Sequence, residues 1–593
     1  MTTAHEVRQA RRHTAAIATV AVAAVALSGA IAGLRGALGI PRNDDWTYYV
    51  TTFRTARSGG LFAPDQWTTT FLLGQTTLAR PVVAVVGDSR LALQLLVMVL
   101  AVVTLTAIGV TVRRFLSLGW TLAVIVLVAV GPIFGTLSAS FMSDIPAMCF
   151  EALGLWALIH ALRPMRISMR WWWLMLVFGL VGFTIREYAV AVPVTAVVCL
   201  LIQRGRKLRS RDVRLAVGAT ILVQIVAAGL YVWRDSFPGP HRTTAASVTL
   251  KRQLSAPFAE GFTLALQLAP VVVLLIALVV SQVRRHPRRL LAVIPVAIVI
   301  GAAYAYLTRR ATVVLGNYLA QTPSYSQTLT GSAPDIFSGS VWQAVNLGAG
   351  LCGLVIVLAV ALPLAGSVTA RISAREGPGV AADVGRTMLD DVERSASVSR
   401  LVCASFVVVM FVSVAGVYRL TGGVVYDRYL LPIVPFAAAV LIDLALRTHA
   451  VNSAARIVFG AGLIGWAACS IFVVDAAAAN DGARWQLAAD VAARGVPAAE
   501  IDGGYEWFGI HQAQPPGQLR AIASDVPFWE GLFSPRPVCA LVSYAGPVAL
   551  PEAATDGAPE LSRTVRLLDG QRLTFDAFDL RRGTDGRCPV LAP

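Results

Sequence analysis

The chain is short of charge. Of its 593 residues only 14% are Asp, Glu, Lys or Arg, where soluble globular proteins carry roughly 25%. That deficit excludes a water-soluble fold for most of the length. Lysine is almost missing, at Lys207 and Lys251 alone, so nearly all the basic residues are arginine. The seven cysteines lack metal-ligand spacing, which argues against a structural zinc site or a redox dithiol motif. Neither a phosphate-binding loop nor a dinucleotide fingerprint occurs, so a nucleotide-driven reaction has no support. Internal repeats, expected of transporters built from duplicated halves, are also missing.

Apolar sequence is plentiful: 56% of the residues are hydrophobic. A membrane span needs about 20 mostly apolar residues, and the pattern predicts about thirteen of them. They fall near 15–37, 91–112, 119–137, 144–162, 171–186, 188–203, 214–233, 262–282, 290–307, 342–366, 401–419, 429–446 and 455–475. The net charge of +16 is distributed in short loops between these runs rather than on one basic domain, which speaks against nucleic acid as a partner. Alternate loops carry the arginines: Arg113-Arg114, Arg163 to Arg170, Arg204 to Arg214, Arg284 to Arg289, Arg371 to Arg400 and Arg447 to Arg456. The positive-inside rule then places the N-terminus in the cytoplasm and the C-terminus outside. The expected fold class is a polytopic α-helical membrane protein in the plasma membrane, with residues 1–477 in the bilayer unit and 478–593 in a small extracytoplasmic α/β domain.

Within 478–593 the spacing predicts a helix over 483–495 and β-like runs at Glu500–Trp507, Pro537–Tyr544 and Thr564–Phe578, with a hairpin turn at Asp569-Gly570. Cys539 and Cys588 both lie there and suit a disulfide in an oxidising compartment. The charged segment 367–400 reads as a cytoplasmic linker, and 38–90 as a long outer loop.

Several polar groups stand at the predicted outer ends of spans. Asp44 and Asp45, in Asn43-Asp44-Asp45-Trp46-Thr47-Tyr48, follow the first span; such a pair can hold a cation, supply a general base, or simply form a solvated cap. Asp144, in Ser143-Asp144-Ile145-Pro146, either caps the fourth span or joins that pair. Arg186 and Glu187 interrupt an apolar stretch, where an arginine can grip a phosphate or pair locally. Lys251, Arg252 and Arg309 are further phosphate candidates, with surface charge as the plainer reading. Asp427 and Arg428 precede the twelfth span and serve either as a structural pair or as substrate contacts.

Together these stretches resemble the GT-C superfamily of membrane glycosyltransferases, in particular the glycosyltransferase family 39 branch similar to protein O-mannosyltransferases and aminoarabinose lipid A transferases of bacteria. The resemblance rests on Asn43–Tyr48, Met142–Ala147 and Asp427–Pro432, spans roughly 30–475, and extends weakly to Ile501–Trp507. It implies a GT-C fold, a polyprenyl-phosphate-sugar donor and a cell-envelope acceptor bearing a hydroxyl: glycan, lipid or protein. It implies Asp44 as base, with Asp45 and Asp144 orienting the acceptor or a metal. Arg186, with Lys251, Arg252 and Arg309, would hold the leaving lipid phosphate, and Glu187, Asp427 and Arg428 are further substrate-binding candidates. A divalent cation is used by some relatives and not others, and no cofactor is required by the sequence. A secondary transporter or flippase, or a glycan-binding protein of the same fold, remains the alternative.

Overall fold

The computed structural model describes residues 4–593 except 66, 69, 163–166, 205–209, 238–249, 310–312, 374–386, 422–424, 449–450, 512–535, 546–557, 584–587, 589 and 592–593. A long first helix, α1 (Ala4–Leu34), is followed by two shorter ones, α2 (Asp45–Ser58) and α3 (Leu73–Val86), so the expected long loop over 38–90 is largely helical. Next come α4 (Arg90–Val112), α5 (Leu118–Ala129), α6 (Pro132–Ser138), α7 (Asp144–Ala161), α8 (Met169–Ile185), α9 (Ala191–Arg204) and α10 (Arg211–Asp235). The second half holds α11 (Leu250–Gln267), α12 (Ala269–Arg285), α13 (Arg288–Thr308), α14 (Gly339–Ser373), α15 (Thr387–Thr421), α16 (Ile433–Arg447), α17 (Ser453–Ala493) and α18 (Tyr505–His511).

The predicted apolar runs coincide with these helices, but they are not thirteen uniform spans. Among the described residues seven helices are long and apolar enough to cross a membrane, or up to nine spans if each of two bent pairs counts as one. One pair, α5 and α6, bends by 70° at Gly131-Pro132, where the proline has no amide hydrogen to continue the helix. The other, α11 and α12, bends by 93° around Leu268, just before Pro270 and in the middle of the run read as one span over 262–282. The helices α8 and α9, 17 and 14 residues long, stay short because the chain turns at Arg186-Glu187. Side chains such as Ile225, Ile298, Val412, Ile457 and Ile464 lie exposed on the helix exteriors, as a lipid-facing surface requires. The chain is thus a multi-pass helical membrane protein. Helices also occupy 367–373 and 387–400, so the expected linker is helical at both ends; its centre lies outside the described residues.

The C-terminal unit is built on a four-stranded sheet in the order β1-β3-β5-β4. β1 (Ile501–Asp502) runs parallel to β3 (Ala540–Tyr544), which pairs antiparallel with β5 (Arg572–Asp579). β4 (Leu561–Arg566) forms a hairpin with β5, turning at Gly570, whose φ of 91° suits glycine. A separate pair joins β2 (Arg536–Pro537) to β6 (Val590–Leu591). Residues 505–507, expected to end the β-like run from Glu500, instead open α18. Cys539 and Cys588 are disulfide-bonded.

No joint separates this unit from the bundle. α17 is one helix of 41 residues that runs through the expected boundary at 477/478. Its C-terminal half carries small residues, Ala476, Ala479, Ala483 and Ala488, into the core formed with Val542, Leu573 and Phe575 of the sheet. Gly482 is needed there: any Cβ would overlap the carbonyl of Arg35. The last helix of the bundle therefore continues without a break under the sheet.

Candidate active site

The acidic pair sits on the turn that enters α2, and its two members have different surroundings. Asn43 adopts a left-handed backbone with φ 58°, a conformation asparagine tolerates better than most residues. The turn directs the two carboxylates to different neighbours. Asp45 is fully buried; its Oδ1 accepts the N–H of Arg42 at 2.6 Å and its Oδ2 the N–H of Phe141 at 3.0 Å. Gln75 donates to the carbonyl of Phe141 at 2.8 Å, and Tyr49 stacks on the Phe141 ring. Asp45 therefore fastens α2 to the segment that leads into Asp144.

Asp44 is open to an approaching molecule, with 34% of its side chain exposed. Its Oδ2 accepts from Arg428 Nη2 at 2.9 Å. Arg428 is almost wholly buried, and its Nε and Nη1 have no hydrogen-bond partner among the described residues. An orphaned guanidinium donor costs on the order of 1–3 kcal/mol or more, so two of them mark a place prepared for an acceptor. The Arg428 guanidinium lies 5.0 Å from the Tyr426 ring, 5.5 Å from Tyr429 and 6.0 Å from Tyr318.

A second arginine shares one of those rings. Arg186 stands 5.1 Å from Tyr429 and 5.8 Å from Tyr188. It donates through Nε to Ser143 Oγ at 2.8 Å and through Nη2 to Asp144 Oδ2 at 3.1 Å. Tyr188 donates to Asp144 Oδ1 at 3.4 Å. Ser143 and Asp144 cap nothing with their side chains at the start of α7; they hold Arg186. The neighbouring Asp427 accepts the N–H groups of Tyr318 and Leu319 at 2.8 and 2.6 Å, which ties the 318–320 segment to Arg428. Burial pushes the Asp427 carboxyl up to about 6, against the lowering effect of these two N–H groups.

The structure thus brings together Asp44, Asp144, Arg186 and Arg428, with Asp45 and Asp427 behind them holding backbone. Glu187 is half-buried next to Arg186. Arg309 is exposed at the end of α13 and, among the described residues, forms no ion pair with the group. Lys251 and Arg252 begin α11, but their side chains lie outside the described residues. The tyrosines at 188, 318, 426 and 429 escaped the sequence reading, because isolated aromatics near span ends look like ordinary interfacial residues. Asp45 and Asp144, expected as the ligands of any cation, are engaged by backbone N–H groups and by Arg186 respectively. That donor set does not fit a metal between them. Among the described residues the single three-ligand cluster is Glu500, Cys539 and Cys588, whose cysteines are tied up in the disulfide.

An apolar cleft of about 380 Å³ opens next to this group. It runs between the α11–α12 bend, α14 and α17, and its lining includes Leu319, Pro270, Trp342, Gly465, Trp466 and Cys469. Leu319 joins cleft and charge cluster, since its N–H binds Asp427.

Residues 76–233 match the dolichyl-phosphate-mannose-protein mannosyltransferase family. The matched segment contains Asp144, Arg186 and Glu187, and the match bears out the resemblance to GT-C glycosyltransferases. No curated protein matches the chain in sequence. Among solved structures, the chain is similar to ArnT from Cupriavidus metallidurans bound to undecaprenyl phosphate, at 11% identity and a TM-score of 0.37, with 95% of this chain and 98% of that one covered. It is also similar to the Archaeoglobus fulgidus oligosaccharyltransferase in complex with Zn and sulfate, at 12% identity and a TM-score of 0.36, covering 86% and 59% of the two chains.

Proposed function

We propose that the protein moves a monosaccharide from a polyprenyl-phosphate-linked donor to a hydroxyl of a cell-envelope acceptor, on the outer face of the plasma membrane and with inversion at the sugar carbon. The observation that carries this reading is Arg428: buried, bonded to the half-open Asp44, and with two donors that no described residue accepts from. Those donors suit the phosphate of a donor, with Arg186 as a second positive charge across Tyr429. The matched family is named for dolichyl-phosphate-mannose, a sugar on a polyprenyl phosphate. The apolar cleft supplies a place for a prenyl chain beside the charged cluster.

In this reading Asp44 accepts the proton of the acceptor hydroxyl as its oxygen bonds to the anomeric carbon. The bond from that carbon to the phosphate oxygen breaks, and the lipid phosphate leaves carrying the electron pair. Arg428 and Arg186 stabilise the charge that gathers on it. Asp144 keeps Arg186 aligned. A metal is not needed, because two guanidinium groups already supply positive charge where the phosphate would sit.

The test is transfer from a panel of radiolabelled polyprenyl-phosphate sugars into a cell-envelope fraction, by the purified protein in lipid nanodiscs. Label from at least one donor should appear in the fraction. Failure of the protein to bind or use any member of the panel would contradict the proposal. A transporter of envelope precursors would move the lipid across vesicles and leave its sugar in place.

A further inference from the structure

We infer that the C-terminal unit places Asp44, and that Glu506 is the positioning residue through which it acts. This rests on the reading of Asp44 as the base. Among the described residues Asp44 has one side-chain hydrogen-bond partner, Arg428, so its position depends on the backbone of residues 42–46. Both sides of that turn are held by the far end of the chain. Glu506 Oε1 accepts the N–H of Asn43 at 2.8 Å, the residue in the left-handed conformation. Arg42 Nε donates to Asp481 Oδ2 at 2.8 Å. Arg484 links the two carboxylates, at 2.7 Å from Glu506 and 3.2 Å from Asp481, and also donates to Thr328 at 3.0 Å.

Every member of this network is buried. On the other side of Asp44, Trp46 meets Tyr505 edge-to-face at 5.7 Å. It also lies so close to Gly509 that a Cβ there would overlap the indole. The arrangement has little slack. The left-handed turn just before the reacting carboxylate is fixed by its surroundings, and the acceptor of its N–H lies 463 residues away. The unit is then part of the reaction centre's frame rather than an appended binding module.

The experiment compares E506A, E506Q and G509A with the parent protein in the transfer assay, reading kcat and donor KM separately. Displacing a reacting group by about 1 Å can cost ~100-fold. E506A should therefore lower kcat by ~10–100-fold and leave donor KM within ~3-fold. E506Q retains an acceptor for the Asn43 N–H and should recover most of that loss. G509A pushes on Trp46 from outside the ion network and should lower kcat in the same direction, which keeps the test open if E506A does not fold. In a D44A background the E506A effect on residual transfer should vanish. An undiminished kcat in folded E506A while D44A is inactive would overturn this inference alone; so would an equal E506A loss in the D44A background. Full activity of D44A would instead overturn the reading of Asp44 as base.

Discussion

Asp45 accepts one backbone N–H on each oxygen, from Arg42 and from Phe141, while Asp44 beside it offers its carboxylate to Arg428 and to the open side of the site. Substituting them should therefore do different things. D45A leaves two buried N–H groups without acceptors, each costing about 1–3 kcal/mol, so it should lower the thermal midpoint of the purified protein. D44N, which keeps an oxygen acceptor for Arg428, should leave that midpoint closer to the parent's than D45A does. Equal midpoints for D45A and the parent would refute the fastening role. Asp427 supplies a pH signature. An unfolded Asp titrates near 3.9, the folded one at about 6, so the folded form holds the extra proton between those values. Its contribution to stability is complete below the lower value and is lost as pH rises through about 6. The parent should thus lose stability relative to D427N from pH 4 to 6, and a constant difference across that window would count against it. At this scale the sequence displayed the acidic pair, Asp144, Arg186 and Arg428, because charge beside apolar spans is conspicuous. What separated Asp44 from Asp45 was not visible: it depends on Phe141, 96 residues away.

At the scale of elements, apolar runs were legible because hydropathy is a local property, whereas the prolines at 132 and 270 mark a break without fixing its angle, 70° at one and 93° at the other. The continuity of α17 was hidden for a related reason. Hydropathy falls after residue 477, yet Ala476, Ala479 and Ala483 carry the same helix into the sheet's core. The α11–α12 bend opens the apolar cleft, and Gly465 lines it with open space where a side chain would begin. A bulky residue there, as in G465W, should raise KM for a long-chain donor by ~10-fold or more and affect a short-chain analogue much less; each buried CH₂ contributes about 0.8 kcal/mol. Equal effects on both chain lengths would remove the cleft from the account. The Cys539–Cys588 disulfide closes a separation of 49 residues within the C-terminal unit. Replacing both cysteines by serine should cost that unit roughly 2–4 kcal/mol, read as faster limited proteolysis beyond residue 500.

On the scale of the whole molecule, charges of two kinds occupy opposite ends of the bundle. α7 starts at Asp144 and, after 18 residues, ends near His160, which meets Arg114; at about 1.5 Å per residue these ends are some 27 Å apart. α16 likewise starts just beyond Arg428 and finishes at Arg447, which pairs with Asp443. Asp44, Asp144, Arg186 and Arg428 thus gather at the end that bears the C-terminal unit, while Glu151 lies buried about half-way along α7. The account turns on Asp44 as the group that takes the acceptor's proton. It is tested most directly by single-turnover transfer from a radiolabelled polyprenyl-phosphate sugar by D44A, with binding of the same donor measured in parallel. The account predicts a ~10²–10⁴-fold slower transfer with donor binding retained. Transfer at the parent rate would contradict it.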